Sequence, residues 1–409
     1  MKLIGPFSQI LTLRHLPLRG ALADDQLEVI ENGGIIVRDG IIDNIGSYTE
    51  LLRNHQGDQE VIQEPSVLLP GWIDSHTHIC FAGSRSKDYA MRIAGKSYLE
   101  IAKAGGGIWD SVQQTRNASR DELSEGIVQR VIKHQENGVT TCEIKSGYGL
   151  NTDKELKMLE AIRNADQKVA ADLISTCLAA HMRPKDFDGH NQAYLEYLLK
   201  ELLPKVKAKN LSQRVDIFIE ESAFSPYEAE TYLLQSKKIG FDITIHGDQF
   251  STGGSAVAVN VGAMSVDHLE ASSEPEIQML SKADIVCTAL PGASIGLGCP
   301  FTPARRLLDG GACVSIASDW NPGSAPMGDL LTQAVIISTF EKLSTAEVFA
   351  GITYRAAAAL GLNDRGILQP GKLADMIAFP TVDYREILYH QGQLKPSTVW
   401  KRGSQIKEI

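Results

Sequence analysis

Histidine and aspartate recur where apolar segments of this sequence end, and these residue types can bind a metal ion. Two of the histidines lie two positions apart, so in an extended segment both rings project to the same side. Imidazole nitrogens and a carboxylate suit Zn²⁺ or Fe²⁺, whereas the lack of a carboxylate cluster argues against Mg²⁺ and Ca²⁺. The candidate residues are His76, His78, His246, His268 and Asp319.

Such a set points to catalysis rather than to a purely structural ion. Three imidazoles and one carboxylate leave a coordination position open for water. A bound metal ion lowers the pKa of that water towards neutrality and polarises a carbonyl group on the substrate. The leading reaction class is therefore hydrolysis of an amide, lactam or amidine-like carbon–nitrogen bond.

The elements that must position these side chains alternate regularly. Eight short apolar runs are separated by longer stretches of helical spacing, a pattern typical of βα units around a parallel sheet. Eight such units predict an α/β fold, a (β/α)₈ TIM-like barrel, in which side chains at the carboxyl ends of the strands meet at one face. The runs are Leu68–His78, Val139–Ser146, Leu173–His181, Val215–Ser222, Phe241–His246, Met264–Leu269, Ile285–Pro291 and Val314–Asp319.

The two ends of the chain break this alternation. Residues 1–65 and 366–409 show short apolar runs between glycine turns, which indicates a small β-sandwich-like domain that both termini build together. Residues 66–365 are then expected to form the barrel. Within it, Ser225 predicts the start of a capped helix that ends at Gly240, and Ser344 predicts the start of one helix that runs to Ala359.

Composition and charge narrow the class of function. The 409 residues are 43% apolar and 22% charged, as in a folded globular chain. The net charge of −10 and the scattered lysines and arginines offer no basic patch to nucleic acid or an anionic membrane. No run reaches the roughly 18 apolar residues of a membrane span, and no signal peptide is apparent. Six cysteines form no C-x-x-C pair, so we expect reduced thiols in a cytoplasmic protein with a small-molecule substrate.

Longer motifs carry a family resemblance. Pro70–Arg85 (PGWIDSHTHICFAGSR), Asp267-His268 and Pro370–Phe379 (PGKLADMIAF) resemble the amidohydrolase superfamily. More narrowly, Glu143–Leu150 (EIKSGYGL) and Ser318–Ser324 (SDWNPGS) are similar to the imidazolonepropionases, which open 4-imidazolone-5-propanoate to N-formimidoyl-L-glutamate. The resemblance spans most of the chain. It implies a hydrolase of cyclic amide bonds in histidine degradation.

The resemblance also implies a role for each metal-binding candidate. One Zn²⁺, Fe²⁺ or Fe³⁺ ion per chain is expected, and Asp319 would also take the proton of the attacking water and pass it to the ring nitrogen. His268 would orient the nucleophile or polarise the lactam oxygen, and His181 would contact the substrate and assist catalysis. The implied metal ligands are His76, His78, His246 and Asp319.

A second group of residues would recognise the substrate. Arg85 matches the family's anchor for the propanoate, because a guanidinium binds a carboxylate in a bidentate manner. The turn at Gly323 is expected to aim backbone N–H groups at the same anion. Gln249 would face the imidazolone ring, but an amide there cannot act as a base. The implied substrate-binding residues are Arg85, Tyr148, His181, Gln249, Asn321, Gly323 and Ser324, and the family resemblance also implies a homodimer.

Several alternatives stay open at this point. A carboxylated Lys145 could bridge two metal ions bound by His181, His246 and Asp319, although the sequence context favours one metal. Glu220 could approach the metal or its water. The reaction could instead be deamination of a nucleobase-type amine, whose neutral ring would offer Arg85 no carboxylate. A catalytically dead barrel that serves as an interaction subunit is the alternative from a different class.

Overall fold

The computed structural model describes residues 1–96 and 98–408, which form two eight-stranded sheets with intervening helices. The strands are β1 (Lys2–Leu11), β2 (Val29–Arg38), β3 (Ile41–Ser47), β4 (Asp58–Val61), β5 (Val67–Pro70), β6 (Trp72–Asp74), β7 (Val139–Lys145), β8 (Asp172–Ala180), β9 (Arg214–Ile217), β10 (Asp242–Gly247), β11 (Ser265–His268), β12 (Val286–Ala289), β13 (Cys313–Ile316), β14 (Met376–Phe379), β15 (Thr398–Lys401) and β16 (Ser404–Glu408). The helices are α1 (Tyr48–Asn54), α2 (Ser86–Ile93), α3 (Tyr98–Lys103), α4 (Ile108–Asn117), α5 (Arg120–Glu136), α6 (Thr152–Asp166), α7 (Asn191–Tyr197), α8 (Leu203–Ala208), α9 (Pro226–Ile239), α10 (Gly254–Val261), α11 (Glu274–Leu280), α12 (Pro291–Leu297), α13 (Ala304–Asp309), α14 (Leu330–Glu341), α15 (Thr345–Gly351), α16 (Tyr354–Ala359) and α17 (Arg385–Tyr389).

Strands β6 to β13 form a parallel sheet in chain order, with helices in the connections. The sheet comes together at its carboxyl end, where Thr77 forms a parallel bridge with Trp320. The Asp319 N–H also donates to the His76 carbonyl oxygen at 3.1 Å. The (β/α)₈ TIM-like barrel predicted from the alternation is thus confirmed. This closure brings the first and last strands, and the polar residues that follow them, to one place.

The first predicted strand, Leu68–His78, is two strands in the structure. β5 pairs with β1 and β14, while β6 pairs with β7 and opens the barrel. Gly71 lies between them, and a Cβ atom there would be 2.4 Å from Thr140 Oγ1. A side chain at this position would collide with the neighbouring strand, so the glycine lets the chain pass directly from one sheet to the other.

The second sheet takes strands from both ends of the chain. Its order is β16-β15-β14-β5-β1-β2-β3, and β4 also pairs in parallel with β1. Its buried side contains Ile4, Leu68 and Met376, and the rings of Phe7 and Trp400 meet edge to face with centroids 6.1 Å apart. A mixed sheet built by both termini is the small β unit that the sequence predicts.

An ionic cluster links this sheet to the barrel. Lys401, the last residue of β15, places Nζ 2.9 Å from Oδ2 of Asp172 and 2.6 Å from Oδ2 of Asp375. Arg365 pairs with Asp172 as well, and Arg402 Nη2 lies 3.2 Å from Asp172 Oδ1. Burial opposes ionisation of Asp172, but Lys401 and Arg365 outweigh it and lower the pKa of this carboxyl.

Helix ends follow the predicted caps in one region and depart from them in another. Ser225 Oγ accepts a first-turn N–H of α9, and Gly240 ends the helix with a φ of 97°. The single helix expected over residues 344–359 is wrong, because the structure has α15 and α16 there. Between them the Ile352 carbonyl oxygen accepts the N–H of Ile73 on β6 at 2.9 Å, and this contact with the barrel interrupts the helix.

No helix in the described part of the chain has both the length and the apolar character needed to cross a membrane. The six cysteines are free thiols, and all but Cys299 are buried.

Candidate active site

Three imidazole rings converge at the carboxyl end of the barrel. His76 and His78 follow β6, and His246 lies near the end of β10. The Nε2 atom of His78 lies 3.2 Å from Nε2 of His76 and 3.1 Å from Nε2 of His246. Asp319 follows β13 and places Oδ1 3.4 Å from His78 Nε2 and 3.6 Å from His76 Nε2. All four side chains are buried. These distances show that the residues proposed as ligands from the sequence lie together.

Two carboxylates orient the imidazole rings of His76 and His246. Asp267 Oδ2 lies 2.7 Å from His76 Nδ1, and Asp216 Oδ2 lies 3.0 Å from His246 Nδ1. A carboxylate beside Nδ1 keeps the proton on that nitrogen, so Nε2 presents a lone pair. The Nε2 atom of His78 has at most one proton to share between the two lone pairs that face it. At least one pair of Nε2 lone pairs therefore faces each other without a proton between them. A cation among the three nitrogens would remove this repulsion, so the donor set fits a metal ion.

Burial sets the protonation of the cluster. It lowers the pKa values of His76 and His78 well below the ordinary value and lowers that of His246 to about 4. Neutral imidazole is the form that binds a metal ion. Burial also raises the pKa of Asp319 to about 7. A bound cation would oppose this shift and favour the carboxylate, the form that binds a metal ion.

The loop after β13 holds Asp319 in place. Asp319 has a φ of 51°, and Asn321 Nδ2 donates to its Oδ2 at 2.9 Å. Asn321 Oδ1 accepts the N–H groups of Gly323 and Ser324, both at 2.7 Å. These two N–H groups are occupied within the loop, which corrects the expectation that they point at the substrate anion. The loop orients the aspartate instead.

Arg85, the residue that precedes α2, reaches the same loop. Its Nε donates to Asp88 Oδ2 at 2.7 Å, and that oxygen also accepts the Gly107 N–H at 2.8 Å. A Cβ atom on Gly323 would lie 2.7 Å from Arg85 Nη1, so glycine leaves the room that the guanidinium occupies. Arg85 and Asn321 line one cavity. The structure thus places a cation beside the loop that carries Asp319.

Tyr148 and His181 lie beside His78, with ring centroids 6.3 and 5.5 Å from the centroid of that ring. His181 Nδ1 lies 3.1 Å from the Gly147 carbonyl oxygen, so Nδ1 carries the proton and Nε2 is an acceptor. Loss of hydration lowers the pKa of His181 to about 4, and the ring is neutral at pH 7. Burial raises the pKa of Tyr148, so its phenol keeps the proton and can donate.

Lys145 is held between carboxylates. Its Nζ lies 2.7 Å from Glu143 Oε1 and 2.9 Å from Asp216 Oδ2. Burial alone would lower the pKa of Lys145, but Asp216 and Glu143 outweigh it and raise the pKa. An ammonium group has no lone pair with which to become carboxylated. These contacts favour one metal ion over a lysine-bridged pair.

The Glu220 carboxylate accepts its hydrogen bonds from the loop that follows β10. Its Oε1 accepts the N–H groups of Phe250 and Ser251 at 2.8 and 3.1 Å, and its Oε2 accepts the Ser251 hydroxyl at 2.6 Å. Gln249 is half-buried at the start of this loop, two residues after the end of β10. Glu220 therefore holds the segment in which Gln249 lies.

His268 ends β11 close to the cluster. One of its ring nitrogens lies within 4.8 Å of ligand nitrogens of His76 and His246. Its Nδ1 lies 3.4 Å from Glu270 Oε1, a third histidine–carboxylate pair. No role was predicted from the sequence for the carboxylates of these three pairs. Asp267 was visible beside His268, but nothing local indicates that its side chain faces His76 across the barrel.

A barrel with a His-x-His element after its first strand, a histidine on the fifth and an aspartate after the eighth defines a class of hydrolase. Residues 67–406 match the model of the amidohydrolase family, and the chain belongs to that family.

Curated relatives narrow the assignment. The imidazolonepropionase of Bacillus cytotoxicus is 37% identical over 381 residues, which cover 92% of this chain and 90% of the relative. That of Bacillus mycoides is 36% identical over 385 residues, covering 93% and 90%. The chain is a member of the imidazolonepropionase family.

Solved structures share the fold at much lower identity. Atrazine chlorohydrolase TrzN from Arthrobacter aurescens TC1, complexed with zinc, has a TM-score of 0.72 at 15% identity, covering 100% of this chain and 95% of that one. Guanine deaminase from E. coli gives the same TM-score and identity and covers 100% and 99%. At this level of identity the likeness establishes the fold alone.

Proposed function

We propose that this protein hydrolyses 4-imidazolone-5-propanoate to N-formimidoyl-L-glutamate. The observation that carries the proposal is the convergence of His76, His78 and His246 beside Asp319, with the Arg85 guanidinium at the neighbouring loop. The histidine cluster suits hydrolysis of a cyclic amide, and Arg85 offers a positive charge for the propanoate. A nucleobase amine has no such carboxylate, so the position of Arg85 favours the imidazolone over deamination.

His76, His78, His246 and Asp319 would hold one Zn²⁺ or iron ion. When bound, the ion lowers the pKa of a coordinated water and polarises the lactam carbonyl. The contacts of Lys145 with Glu143 and Asp216 support one ion rather than two.

Asp319 acts in this proposal as the proton carrier. It accepts a proton from the attacking water as the water oxygen bonds to the lactam carbonyl carbon. It then gives the proton to the ring nitrogen as the ring carbon–nitrogen bond breaks, so atoms and charge balance. Asn321 keeps the carboxylate in place through its Nδ2. His268 lies close enough to the cluster to orient the attacking water, because its unprotonated ring nitrogen can accept a hydrogen bond from it.

The neighbouring side chains orient the substrate. Arg85 binds the propanoate, and Tyr148 donates its phenolic proton to the same carboxylate or to the ring. His181 Nε2, an acceptor because Nδ1 faces Gly147, receives a ring N–H. Gln249 lies on the loop after β10 and faces the ring. Asn321, Gly323 and Ser324 shape the wall of the pocket.

The proposed enzyme works as a homodimer in the cytoplasm. The family resemblance supports the dimer, and six free cysteines suit a reducing compartment.

The test is an assay of the purified protein with freshly generated 4-imidazolone-5-propanoate. Loss of imidazolone absorbance is followed, the product is identified by mass, and bound metal is quantified on the same sample. We expect N-formimidoyl-L-glutamate, about one metal ion per chain and loss of turnover on chelation. Asp319→Asn should lose turnover, whereas Asp309→Asn, a change at an exposed aspartate, should not. Bound metal without turnover would overturn the substrate, and absence of both would favour a dead barrel.

A further inference from the structure

The loop after β10 offers the site an amide at Gln249, which cannot take up a proton. Two other carboxylates near the strand ends accept hydrogen bonds from neighbouring loops and helix ends. Both oxygens of Asp248 accept hydrogen bonds from Ser255, and its Oδ2 accepts a further one from Ser272. Both oxygens of Glu220 bind the loop that follows Gln249. In both groups each oxygen already accepts a hydrogen bond from a neighbouring loop or helix end.

Glu270 differs from them. Its side chain is only 2% exposed, although it lies in the loop after β11. Its Oε1 lies 3.4 Å from His268 Nδ1 and accepts the Ser294 hydroxyl at 3.4 Å. Within the described residues its Oε2 is buried without a hydrogen-bond partner. Burying a carboxylate with one oxygen unsatisfied is costly, so the position calls for a functional explanation.

The backbone that brings Glu270 beside His268 is also strained. His268 and Leu269 have φ values of 88° and 71°, in the region that favours glycine. A residue other than glycine is strained in this region and persists there only where neighbours enforce it. Here the Leu269 N–H donates to the Gly247 carbonyl oxygen at 3.1 Å, and the Thr302 hydroxyl donates to the His268 carbonyl oxygen. The turn folds the Glu270 side chain back against the His268 ring.

We propose that Glu270 is a positioning residue for the hydrolysis: it accepts the His268 Nδ1–H and thereby turns the other ring nitrogen towards the cluster of His76 and His246. The pairs of His76 with Asp267 and His246 with Asp216 have the same arrangement. In those pairs the carboxylate orients a metal ligand, whereas in the third it orients the histidine that faces the attacking water. This inference rests on the proposed function.

Two substitutions separate positioning from charge. Glu270→Ala removes the acceptor, and Glu270→Gln keeps an acceptor oxygen of the same reach. Loss of a carboxylate that orients a site histidine typically costs 10–100-fold in activity. We expect Glu270→Ala to lower kcat by about that factor with KM within a few-fold of wild type, and Glu270→Gln to recover most of the loss. Glu274→Gln, at an exposed position four residues later, is the matched control and should keep wild-type kcat.

Histidine NMR supplies a readout that does not depend on turnover. In a zinc-loaded sample labelled with ¹⁵N-histidine, long-range ¹H–¹⁵N spectra report which ring nitrogen of His268 carries the proton, with assignment from His268→Asn. We expect the Nδ1–H tautomer in wild type and Glu270→Gln, and a mixture in Glu270→Ala. Wild-type kcat in Glu270→Ala, equal losses in the Ala and Gln variants, or an unchanged tautomer would each overturn the proposal.

Failure of the proposed function would look different. Wild-type protein would then not open the imidazolone at all, while the tautomer of His268 would still respond to Glu270→Ala if the positioning contact exists. Equal melting temperatures and metal contents in the variants would exclude general unfolding as the cause of a lower kcat.

Discussion

The side-chain amide of Asn321 links Asp319 to the loop that follows it: Nδ2 donates to Asp319 Oδ2 at 2.9 Å, and Oδ1 accepts the N–H groups of Gly323 and Ser324. One side chain thus fixes both the carboxylate and the shape of the pocket wall. A carboxylate proposed to bind metal and carry a proton must be held within a fraction of an ångström of its working position.

Replacement of Asn321 by alanine should therefore impair catalysis more than folding. We expect Asn321→Ala to lower kcat by about 10–100-fold, the usual cost of losing a partner of a metal ligand. Steady-state kinetics and metal content would be measured in parallel. Asn260→Ala, on the exposed side of α10, should behave as wild type. An Asn321→Ala protein with unchanged kcat would argue against this orienting role.

The pair of Asp267 and His76 predicts an effect on metal affinity. Asp267→Asn keeps the shape of the side chain but weakens the acceptor 2.7 Å from His76 Nδ1, so Nε2 becomes a poorer ligand. The affinity for Zn²⁺ should fall by about 10–100-fold, measured by competition with a chromogenic chelator. Asp242→Asn, an exposed substitution at the start of β10, serves as the control. Equal affinities in the two variants would contradict the interpretation.

Arg85 predicts selectivity for the propanoate. A hydrogen bond to a charged group contributes about 1.5–3 kcal/mol, so Arg85→Met should lower kcat/KM for 4-imidazolone-5-propanoate by about 10–100-fold. An imidazolone without the propanoate should be turned over equally slowly by wild type and variant, because neither has a carboxylate to bind. Arg53→Met changes an exposed arginine on α1 and should leave both rates unchanged. A similar loss on both substrates would show that Arg85 acts on the fold or the metal site instead.

The barrel, and the closeness of the three histidines to Asp319, were predictable from the sequence because their signals are local. Each parallel strand is a short apolar run, and the His-x-His spacing itself places two rings on one side. Short apolar runs between glycine turns likewise predict the small terminal sheet. Each of the eight runs named from the sequence overlaps one barrel strand in the structure.

What the sequence could not supply depends on contacts between distant segments. Asp267 adjoins His268 in the chain but faces His76, which lies 191 residues earlier. The break between α15 and α16 follows from a hydrogen bond to Ile73 on β6, whereas local spacing favours one continuous helix. The turn after Asp319 was predicted to bind the substrate anion through its backbone N–H groups. In the structure the Asn321 side-chain oxygen accepts the N–H groups of Gly323 and Ser324.

The ionic cluster of Asp172 predicts how stability depends on pH. Lys401 and Arg365 lower the pKa of Asp172 in the folded protein below its unfolded value of about 3.9, despite the opposing effect of burial. The ionised carboxylate therefore stabilises the fold above the unfolded pKa, and this contribution is lost as the pH falls through the lower, folded pKa. Asp172→Asn should be less stable than wild type at pH 7 by about 1–2 kcal/mol.

The difference between wild type and Asp172→Asn should shrink as the solution is acidified below about pH 5, because the unfolded chain then takes up a proton that the folded carboxylate still resists. Thermal unfolding at a series of pH values would measure it, with Asp188→Asn as the control at an exposed aspartate. Since Asp172 joins the start of β8 to the end of β15, the same scan reports on the junction between the barrel and the terminal sheet. A stability gap that stays constant from pH 7 to pH 3 would mean that Asp172 acts through packing and not through its charge.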